Sequence, residues 1–376
     1  MDIDVEEALE KKLGVAERLR ARLGAEEVRE AEADSHARRL PRPCGLTVHT
    51  GVGCSFGCLY CYIWDMGFPA KPRPYPLSGL QLAYALAINP AVVVGRRGSL
   101  LAFGAVTEPF LPETSERTYE YLSAISSELG NPIQLSTKAR LGSGDAARIR
   151  STCRDVSVLV TVITQSFHKT LEPGAPSPEE RYETIKNLSK EGIHVSLFLR
   201  PILPGIELSE FEEILSQSKR SGVSGVVLGS LRVTEGIIKR LKAAGYPYLD
   251  DLLKRIPRRL EGTKQITIKG QDLKRKIMEL AGKLDIKIYP SACAANIEAH
   301  GLGCASCRLG PCGRVEEIPI IESKDLKRVA PRFGLRVVDL RVEKFKIFMR
   351  LEGPALAKRR FKEFVKALTK HEIIIK

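Results

Sequence analysis

The sequence lacks the features that mark membrane and secreted proteins. None of its apolar runs approaches the ~20 residues that a membrane-spanning helix needs. Residues 1–7, MDIDVEE, are acidic and have no apolar core, so they do not form a secretory signal peptide. Of the 376 residues, 43% are hydrophobic and 28% are charged, as in an ordinary soluble globular protein. We therefore expect a cytoplasmic protein with no membrane partner.

Side-chain combinations typical of hydrolases are also missing. No His-Ser-Asp set and no pair of carboxylates stands out, so nothing in the sequence supports hydrolytic chemistry. The nine cysteines are not spread as in a disulfide framework, because seven of them fall into two compact groups. Groups of this kind are typical of metal sites in a reducing compartment.

Three closely spaced cysteines are the most informative feature that the sequence does contain. Cys54, Cys58 and Cys61 form the pattern C-x3-C-x2-C within TGVGCSFGCLYCY, residues 50–62. Three thiolates at this spacing can hold three corners of a four-iron cluster and leave one iron open to another ligand. A structural zinc ion normally takes four protein ligands, and the nearest histidine, His49, lies on the approaching segment. The alternative is three unrelated buried cysteines, since a free cysteine packs like a small hydrophobic residue.

This segment resembles the signature of the radical S-adenosylmethionine (SAM) superfamily, C-x3-C-x-aromatic-C, with Tyr60 at the aromatic position. The resemblance implies that SAM chelates the open iron of a [4Fe-4S] cluster through its amino and carboxylate groups. It also implies that an electron from the cluster cleaves SAM to a 5′-deoxyadenosyl radical, which abstracts hydrogen from a substrate carbon. A reductant protein such as a ferredoxin or flavodoxin is the implied electron source.

Four further segments follow in the order found in the spore-photolyase-like branch of this superfamily, often labelled DNA repair photolyase. They are GAVTEPF at 104–110, LSTK at 135–138, LEPGAPSPEER at 171–181 and PILPGI at 201–206. Glu108 stands where the branch usually has an aspartate, and it keeps the charge. Spore photolyase uses a cysteine thiol soon after the cluster to quench a thymine radical, whereas this chain has no cysteine between Cys61 and Cys153. This departure argues against photoproduct-lyase activity.

The resemblance also implies roles for individual residues. The three cysteines bind the catalytic cluster, and Tyr60 approaches the adenine of SAM. Glu108, with Thr107, holds the ammonium of SAM, although an acid before Pro109 is also typical of a helix start. The carboxylate and ribose of SAM would contact residues that end the third, fourth and fifth strands: Ser136, Lys138, Thr164 and Arg200. Residues at such positions also form ordinary turn hydrogen bonds, which is the alternative for these four.

Alternating strand and helix patterns predict an α/β fold. Apolar strand-length segments occur at 46–50, 100–106, 133–137, 156–164, 194–199 and 226–231, and helical patterns at 78–88, 115–129, 178–191 and 208–220. Such alternation produces a parallel sheet covered by helices. The resemblance implies that it forms a partial (β/α)6 TIM-type barrel, whose active site lies where the strands end.

The remaining patterns complete the predicted organisation. One helix is predicted over 4–35, a short strand at 286–289, strands at 318–321, 335–340 and 344–351, and helices near 323–330 and 354–369. The predicted units are an N-terminal helical extension, a radical SAM core barrel, a barrel-completing helical segment, a four-cysteine metal site and a small basic α+β domain. Their ranges are 1–43, 44–235, 236–290, 291–314 and 315–376.

A second cysteine group predicts another metal site. Its members, spaced C-x10-C-x2-C-x4-C, are Cys293, Cys304, Cys307 and Cys312. Four thiolates within twenty residues form a full ligand set for a closed site. An auxiliary [4Fe-4S] cluster, which radical SAM enzymes often carry, is favoured over zinc, although spacing alone does not decide between them. The two remaining cysteines, Cys44 and Cys153, are expected to be structural thiols.

The formal net charge of +14 indicates an anionic partner such as nucleic acid. The alternative is a heat-adapted protein rich in charged residues, in which glutamate usually balances the basic side chains. Residues 316–376 contain 16 basic and 9 acidic residues, which is half of the net charge. We therefore expect the C-terminal domain to be a docking face for nucleic acid, with a merely solvated helix as the alternative.

Together these features predict a radical SAM enzyme that acts on a large substrate. Modification of tRNA or another RNA is the preferred class. DNA lesion repair and peptide or protein modification are the enzymatic alternatives. The non-enzymatic alternative is a nucleic-acid-binding module in which both cysteine groups are structural metal sites.

Overall fold

The computed structural model describes residues 4–41 and 45–376, and its centre is a sheet of seven parallel strands. These strands are β1 Leu46–Val48, β2 Leu101–Phe103, β3 Ile133–Thr137, β4 Val156–Val160, β5 His194–Ile202, β6 Gly225–Ser230 and β7 Ile288–Tyr289. Their spatial order follows the chain, so each strand pairs in parallel with the next one. Among the described residues the edge strands β1 and β7 do not pair with each other, so the barrel is open.

Helices cover this sheet and extend beyond it. They are α1 Val5–Arg20, α2 Ala25–Ala33, α3 Gly79–Ile88, α4 Ser115–Ala124, α5 Ser143–Thr152, α6 His168–Leu171, α7 Pro178–Lys190, α8 Leu208–Ser221, α9 Glu235–Ala243, α10 Leu249–Lys254, α11 Gln271–Lys283, α12 Ala292–Ala299, α13 Ser323–Val329 and α14 Ala355–Thr369. Local chemistry sets several of their starts. The hydroxyl of Ser177 accepts the Glu180 N–H at 3.3 Å, and Pro178 occupies the first turn of α7.

Helix α12 covers the inner face of the sheet near the amino ends of the strands. The Gln134 amide donates to the Ala292 carbonyl at 2.9 Å. The Ser157 hydroxyl donates to Asn296 Oδ1 at 3.2 Å. Both Gln134 and Ser157 are second residues of their strands, so α12 closes the barrel at the edge formed by the amino ends, called here the amino edge. The opposite edge, called the carboxyl edge, carries the loops with the predicted site residues.

The C-terminal region forms its own sheet, which shares a core with the N-terminal helix. Its strands are β8 Arg336–Glu343, β9 Lys346–Glu352 and β10 Glu372–Ile375. Val5 and Leu9 of α1 pack in this core, whereas Leu19 of the same helix packs in the core of the barrel. Arg332 pairs with Glu10 at 2.8 Å. Helix α1 therefore connects the two cores.

The fold class agrees with the sequence prediction, and the differences are local. The segment at 286–289 supplies a seventh barrel strand, β7. The single helix predicted over 4–35 is two helices, because Gly24 is the N-cap of α2. The strand predicted at 318–321 is wrong, since only Ile320 forms an isolated bridge there. Helix α5 and strand β10 were not predicted, and Cys44 lies outside the described residues. No helix in 4–41 or 45–376 is long and apolar enough to span a membrane.

Candidate active site

The loop after β1 brings the three closely spaced cysteines to the carboxyl edge. Cys58 is buried, and Cys54 and Cys61 are half-buried. The Cys61 N–H donates to the Cys58 carbonyl at 3.0 Å, which folds the loop into a tight turn. Gly53 has φ +87°, and a side chain there would collide with the backbone carbonyl of Pro69. The segment of residues 50–62, which carries these three cysteines, is called here the cysteine loop.

The chemistry of these thiols fits iron ligation. Burial raises the pKa of Cys58 to about 12, and burial also raises the pKa of Cys54. The thiolates therefore need a strong positive partner, which iron supplies. Within the described ranges, no three His, Cys, Asp or Glu side chains converge on the position of a single metal ion. The three thiols lie close enough to interact electrostatically without sharing one ion position, which suits a cluster in which each cysteine binds a different iron.

A buried charge network lies directly beside Cys58. The Tyr60 hydroxyl donates to the Glu172 carboxylate, and Arg181 Nη1 lies 2.5 Å from Glu172 Oε2. The side chains of Glu172 and Arg181 are fully buried. Lys138 Nζ lies 3.9 Å from Glu172 Oε1 and 5.6 Å from the centre of the Tyr60 ring. Two cations thus share the carboxylate of Glu172, and Lys138 lies close enough to Cys58 to favour its thiolate.

The carboxylate of Glu108 is buried and accepts hydrogen bonds from three donors. It accepts the Thr137 hydroxyl at 2.6 Å, the Lys138 N–H at 2.9 Å and the Phe110 N–H at 3.3 Å. Burial raises its pKa, and these hydrogen bonds oppose the rise. Thr107 is also buried, and its hydroxyl donates to the backbone carbonyl of Glu108 at 3.4 Å. The Phe110 contact closes a local turn, whereas the other two contacts connect the carboxylate to the carboxyl end of β3.

Two of the remaining predicted cofactor ligands, Thr164 and Arg200, have other contacts in this structure. The Thr164 hydroxyl donates to Glu210 at 2.6 Å, so it holds the loop after β4. Arg200 lies within β5, and its aliphatic stem occupies the space that a side chain at Gly229 would need. Ser136 is half-buried near the end of β3. The structure thus groups Tyr60, Glu108 and Lys138 around the cysteine loop more closely than Thr164 or Arg200.

One residue that holds the cysteine loop was not predicted. Arg240 on α9 donates to the carbonyls of Leu59 at 3.0 Å and Cys61 at 2.9 Å. It also pairs with both oxygens of Asp65, at 3.0 and 3.1 Å. Burial opposes ionisation of Asp65, but hydrogen bonds from Arg240 and Thr234 outweigh it and hold the pKa of Asp65 below its usual value. No local pattern in the sequence connects residues about 175 positions apart.

A cavity of about 740 Å³ opens at the carboxyl edge beside β4 and β5. Its size falls within the range of small-molecule sites. Its lining residues are Gln165, Ser166, Phe167, Gly205, Glu207, Ser209, Glu210 and Tyr248. The cavity therefore adjoins the loops that carry the site.

The second cysteine group lies at the opposite end of the barrel. A cavity of about 90 Å³ there is lined by all four of these cysteines and by Ser99 and Leu100, which precede β2. Hydrogen bonding from Cys312 lowers the pKa of Cys304, and buried Lys370 adds to this effect. The four thiols lie close enough to interact electrostatically, yet they do not converge on one ion position within the described residues. The predicted ligands are thus together, whereas a metal at this site stays a prediction.

Comparisons with known proteins agree with this geometry. Residues 48–217 match the family model of the radical SAM superfamily. An uncharacterized protein of Mycobacterium tuberculosis is 25% identical over 241 residues, covering 58% of this chain and 68% of the relative. A radical SAM Nalpha-GlyT isomerase of Pseudomonas phage M6 is 27% identical over 236 residues, covering 60% of this chain and 46% of the relative. A spore photoproduct lyase mutant with bound AdoMet and dinucleoside spore photoproduct has a TM-score of 0.56 at 13% identity, covering 70% of this chain and 83% of that one. The structural likeness concerns the fold alone.

Proposed function

We propose that this chain is a radical SAM enzyme built around residues 48–217 and that it modifies RNA, with tRNA as the preferred class. Its superfamily uses SAM and a [4Fe-4S] cluster, which together supply an electron and a 5′-deoxyadenosyl radical. In this proposal the three cysteines of the loop ligate iron, and Glu108 receives the ammonium of SAM. Lys138 lies beside the Tyr60 ring and donates its backbone N–H to Glu108, and Arg240 holds the loop carbonyls of Leu59 and Cys61.

The distribution of charge is the observation that carries the RNA proposal. Residues 48–217 contain 15 basic and 17 acidic residues, so the matched domain is close to neutral. The excess of positive charge lies after this domain, mainly in 232–269, with ten basic and four acidic residues, and in 316–376. Basic additions to a neutral catalytic domain are suited to holding a polyanion. General adaptation to heat would not confine the excess to segments outside the domain.

DNA lesion repair is the second candidate, and it is supported by the order of the four sequence segments, which resembles the spore-photolyase-like branch. That lyase chemistry needs a thiol that reaches the substrate radical. Outside the two cysteine groups, Cys153 is the one cysteine in the described part of the chain, and it is buried at the end of α5, before β4. A residue before β4 belongs to the amino edge, away from the site. The geometry therefore favours RNA modification over photoproduct repair.

The chemistry is tested with anaerobically reconstituted protein and dithionite. We expect cleavage of SAM to 5′-deoxyadenosine and methionine, and we expect Cys58→Ala to abolish it, because one cluster corner loses its ligand. Wild-type cleavage by that variant would refute the cluster assignment.

The substrate class is tested by mass spectrometry of RNA nucleosides and of the proteome from a deletion strain and its parent. A nucleoside present only in the parent supports RNA modification. An unchanged set of nucleosides with an altered peptide would replace RNA by a protein substrate.

A further inference from the structure

A set of exposed basic residues lies at the same edge of the barrel as the cysteine loop. Leu231 follows β6 and begins a short ladder in which Arg232–Val233 pairs with Ile266–Thr267. The segment between these short strands contains α9, α10 and an irregular stretch over 255–265. Because β6 runs parallel to the other barrel strands, this whole segment starts from the carboxyl edge.

Direct contacts connect this segment to the cysteine loop. Arg240 on α9 holds the carbonyls of Leu59 and Cys61. The Thr234 hydroxyl donates to Asp65 at 2.5 Å. A macromolecule bound to the segment would therefore lie next to the loop that holds the catalytic cluster.

Seven basic side chains over residues 232–269 are exposed and make no ion pair or side-chain hydrogen bond within residues 4–41 and 45–376. Three of them, Lys239, Lys242 and Lys254, lie on the helices α9 and α10. The other four lie on or directly after the short ladder or in the stretch after α10, and they are Arg232, Arg258, Arg259 and Lys269. Nearby cations are used internally: Arg255 pairs with Asp251 at 3.1 Å and with Asp272 at 2.8 Å. The four residues, called here the basic rim, are thus free to contact an external anion.

We propose that the basic rim binds the phosphate backbone of the RNA substrate and directs a nucleotide towards the cysteine loop. This inference rests on the proposed function and names the surface by which that function is achieved. Arginine and lysine side chains are the usual phosphate contacts in nucleic-acid complexes, and such contacts fix the position of the backbone without reading sequence.

The C-terminal domain is less well placed for this role. Lys370 Nζ donates to the Gly98 carbonyl at 2.6 Å, and Val93 packs into the core of this domain. Both Val93 and Gly98 precede β2, so the domain rests against the amino edge. The domain therefore meets the barrel at the end opposite the cysteine loop, and two of its basic side chains, Arg328 and Arg332, pair with acids of α1.

The test uses two triple variants with matched changes of charge. The rim variant carries Arg232→Gln, Arg259→Gln and Lys269→Gln. The control variant carries Arg350→Gln, Arg359→Gln and Lys327→Gln, three exposed residues of the C-terminal domain. Binding of unmodified tRNA by the full-length holoenzyme is measured across a range of salt concentrations. Basal SAM cleavage and melting temperature show that each variant is folded.

The salt dependence gives a quantitative expectation. Each phosphate contact contributes a slope of about 0.7 to 0.9 to the fall of log affinity with log salt concentration. Losing three contacts should therefore flatten the slope by about 2 to 3. Between 50 and 200 mM salt, the affinity of the rim variant should fall about 20- to 40-fold less than that of the wild type. The control variant should keep the wild-type slope.

Three other outcomes would each refute either the basic rim or the RNA proposal. A flattened slope in the control but not in the rim variant would place the RNA on the C-terminal domain and refute the basic rim. Equal flattening in both variants would mean diffuse attraction by net charge, which also refutes the rim. Salt-insensitive binding, or no binding, by the wild-type protein would remove the RNA proposal itself.

Discussion

Replacing Glu172 by glutamine should destabilise the protein strongly, because this change keeps the shape of the side chain but removes a buried charge. Arg181 and Glu172 are both fully buried, with Arg181 Nη1 2.5 Å from the carboxylate. Lys138 Nζ depends on the same carboxylate at 3.9 Å. Breaking a buried ion pair on one side typically costs about 3–5 kcal/mol, because the other charge is left without a partner.

This cost converts into a measurable shift of the melting temperature. For a chain of 376 residues, an unfolding entropy of about 2.1 cal/mol/K per residue gives about 0.8 kcal/mol/K. The melting temperature of Glu172→Gln should therefore fall by about 4–6 °C. Calorimetry of the metal-free protein measures this shift without a contribution from the cluster. Glu116→Gln is the control, because its bidentate pair with Arg148 lies on the surface and should matter little.

A second variant tests the physical reason for the loss. Adding Arg181→Met to Glu172→Gln removes the unpaired cation, so it should recover part of the lost stability. The reasoning would be refuted if Glu172→Gln melted like the control, or if the double variant were less stable than Glu172→Gln alone.

Three further predictions concern other parts of the molecule. The Arg240→Met variant should release iron to a chelator about tenfold faster than Lys242→Met, a variant of an exposed residue on the same helix. The reason is that the carbonyls of Leu59 and Cys61 lose a charged hydrogen-bond donor worth about 1.5 kcal/mol. Equal release rates would show that Arg240 does not hold the cysteine loop in place. Cys304→Ala with Cys307→Ala should lower iron by about four atoms per chain while SAM cleavage persists, and unchanged iron with loss of zinc would identify a zinc site instead. Burial lowers the pKa of His300 to about 4, below the ~6.5 of the unfolded chain, so its contribution to stability is present above pH 6.5 and is lost as the pH falls towards 4. In denaturant titrations between pH 7 and pH 5, the free energy of unfolding of the wild type should fall by about 2 kcal/mol more than that of His300→Gln. Equal losses in the two proteins would refute this prediction.

The barrel strands were predictable because parallel strands buried on both faces read as continuous apolar runs. Val156–Val160 is buried at every position. Helix α5 was missed because only Ala146 and Ile149 are buried in it, which gives a weak helical pattern. The strand predicted at 318–321 is wrong because these apolar residues form a connection without a ladder: among the described residues only Ile320 makes an isolated bridge, and its side chain is 65% exposed.

The site was predictable only as far as its residues lie close together in the sequence. The three cysteines of the loop were predicted as a site because their spacing in the sequence is characteristic. Glu172 and Arg181 belong to a motif that is visible in the sequence. Their contact with Tyr60 is not visible there, because Tyr60 and Glu172 are 112 positions apart and only the fold brings them together. Arg240 gives no signal at all, because its partners are backbone carbonyls and a distant carboxylate. The positions of the two cysteine groups at opposite edges likewise follow from topology rather than from spacing.

The division of α1 between two cores has a consequence for synthesis on the ribosome. Leu19 finds its partners once the barrel forms, whereas Val5 and Leu9 pack with residues such as Phe361 and Phe364. About 350 residues separate these partners, and at about 5–20 residues per second their translation takes about 20 to 70 s. During that time one apolar half of the first helix stays exposed on the nascent chain. We therefore expect this helix segment to be accessible to chaperones that act during translation.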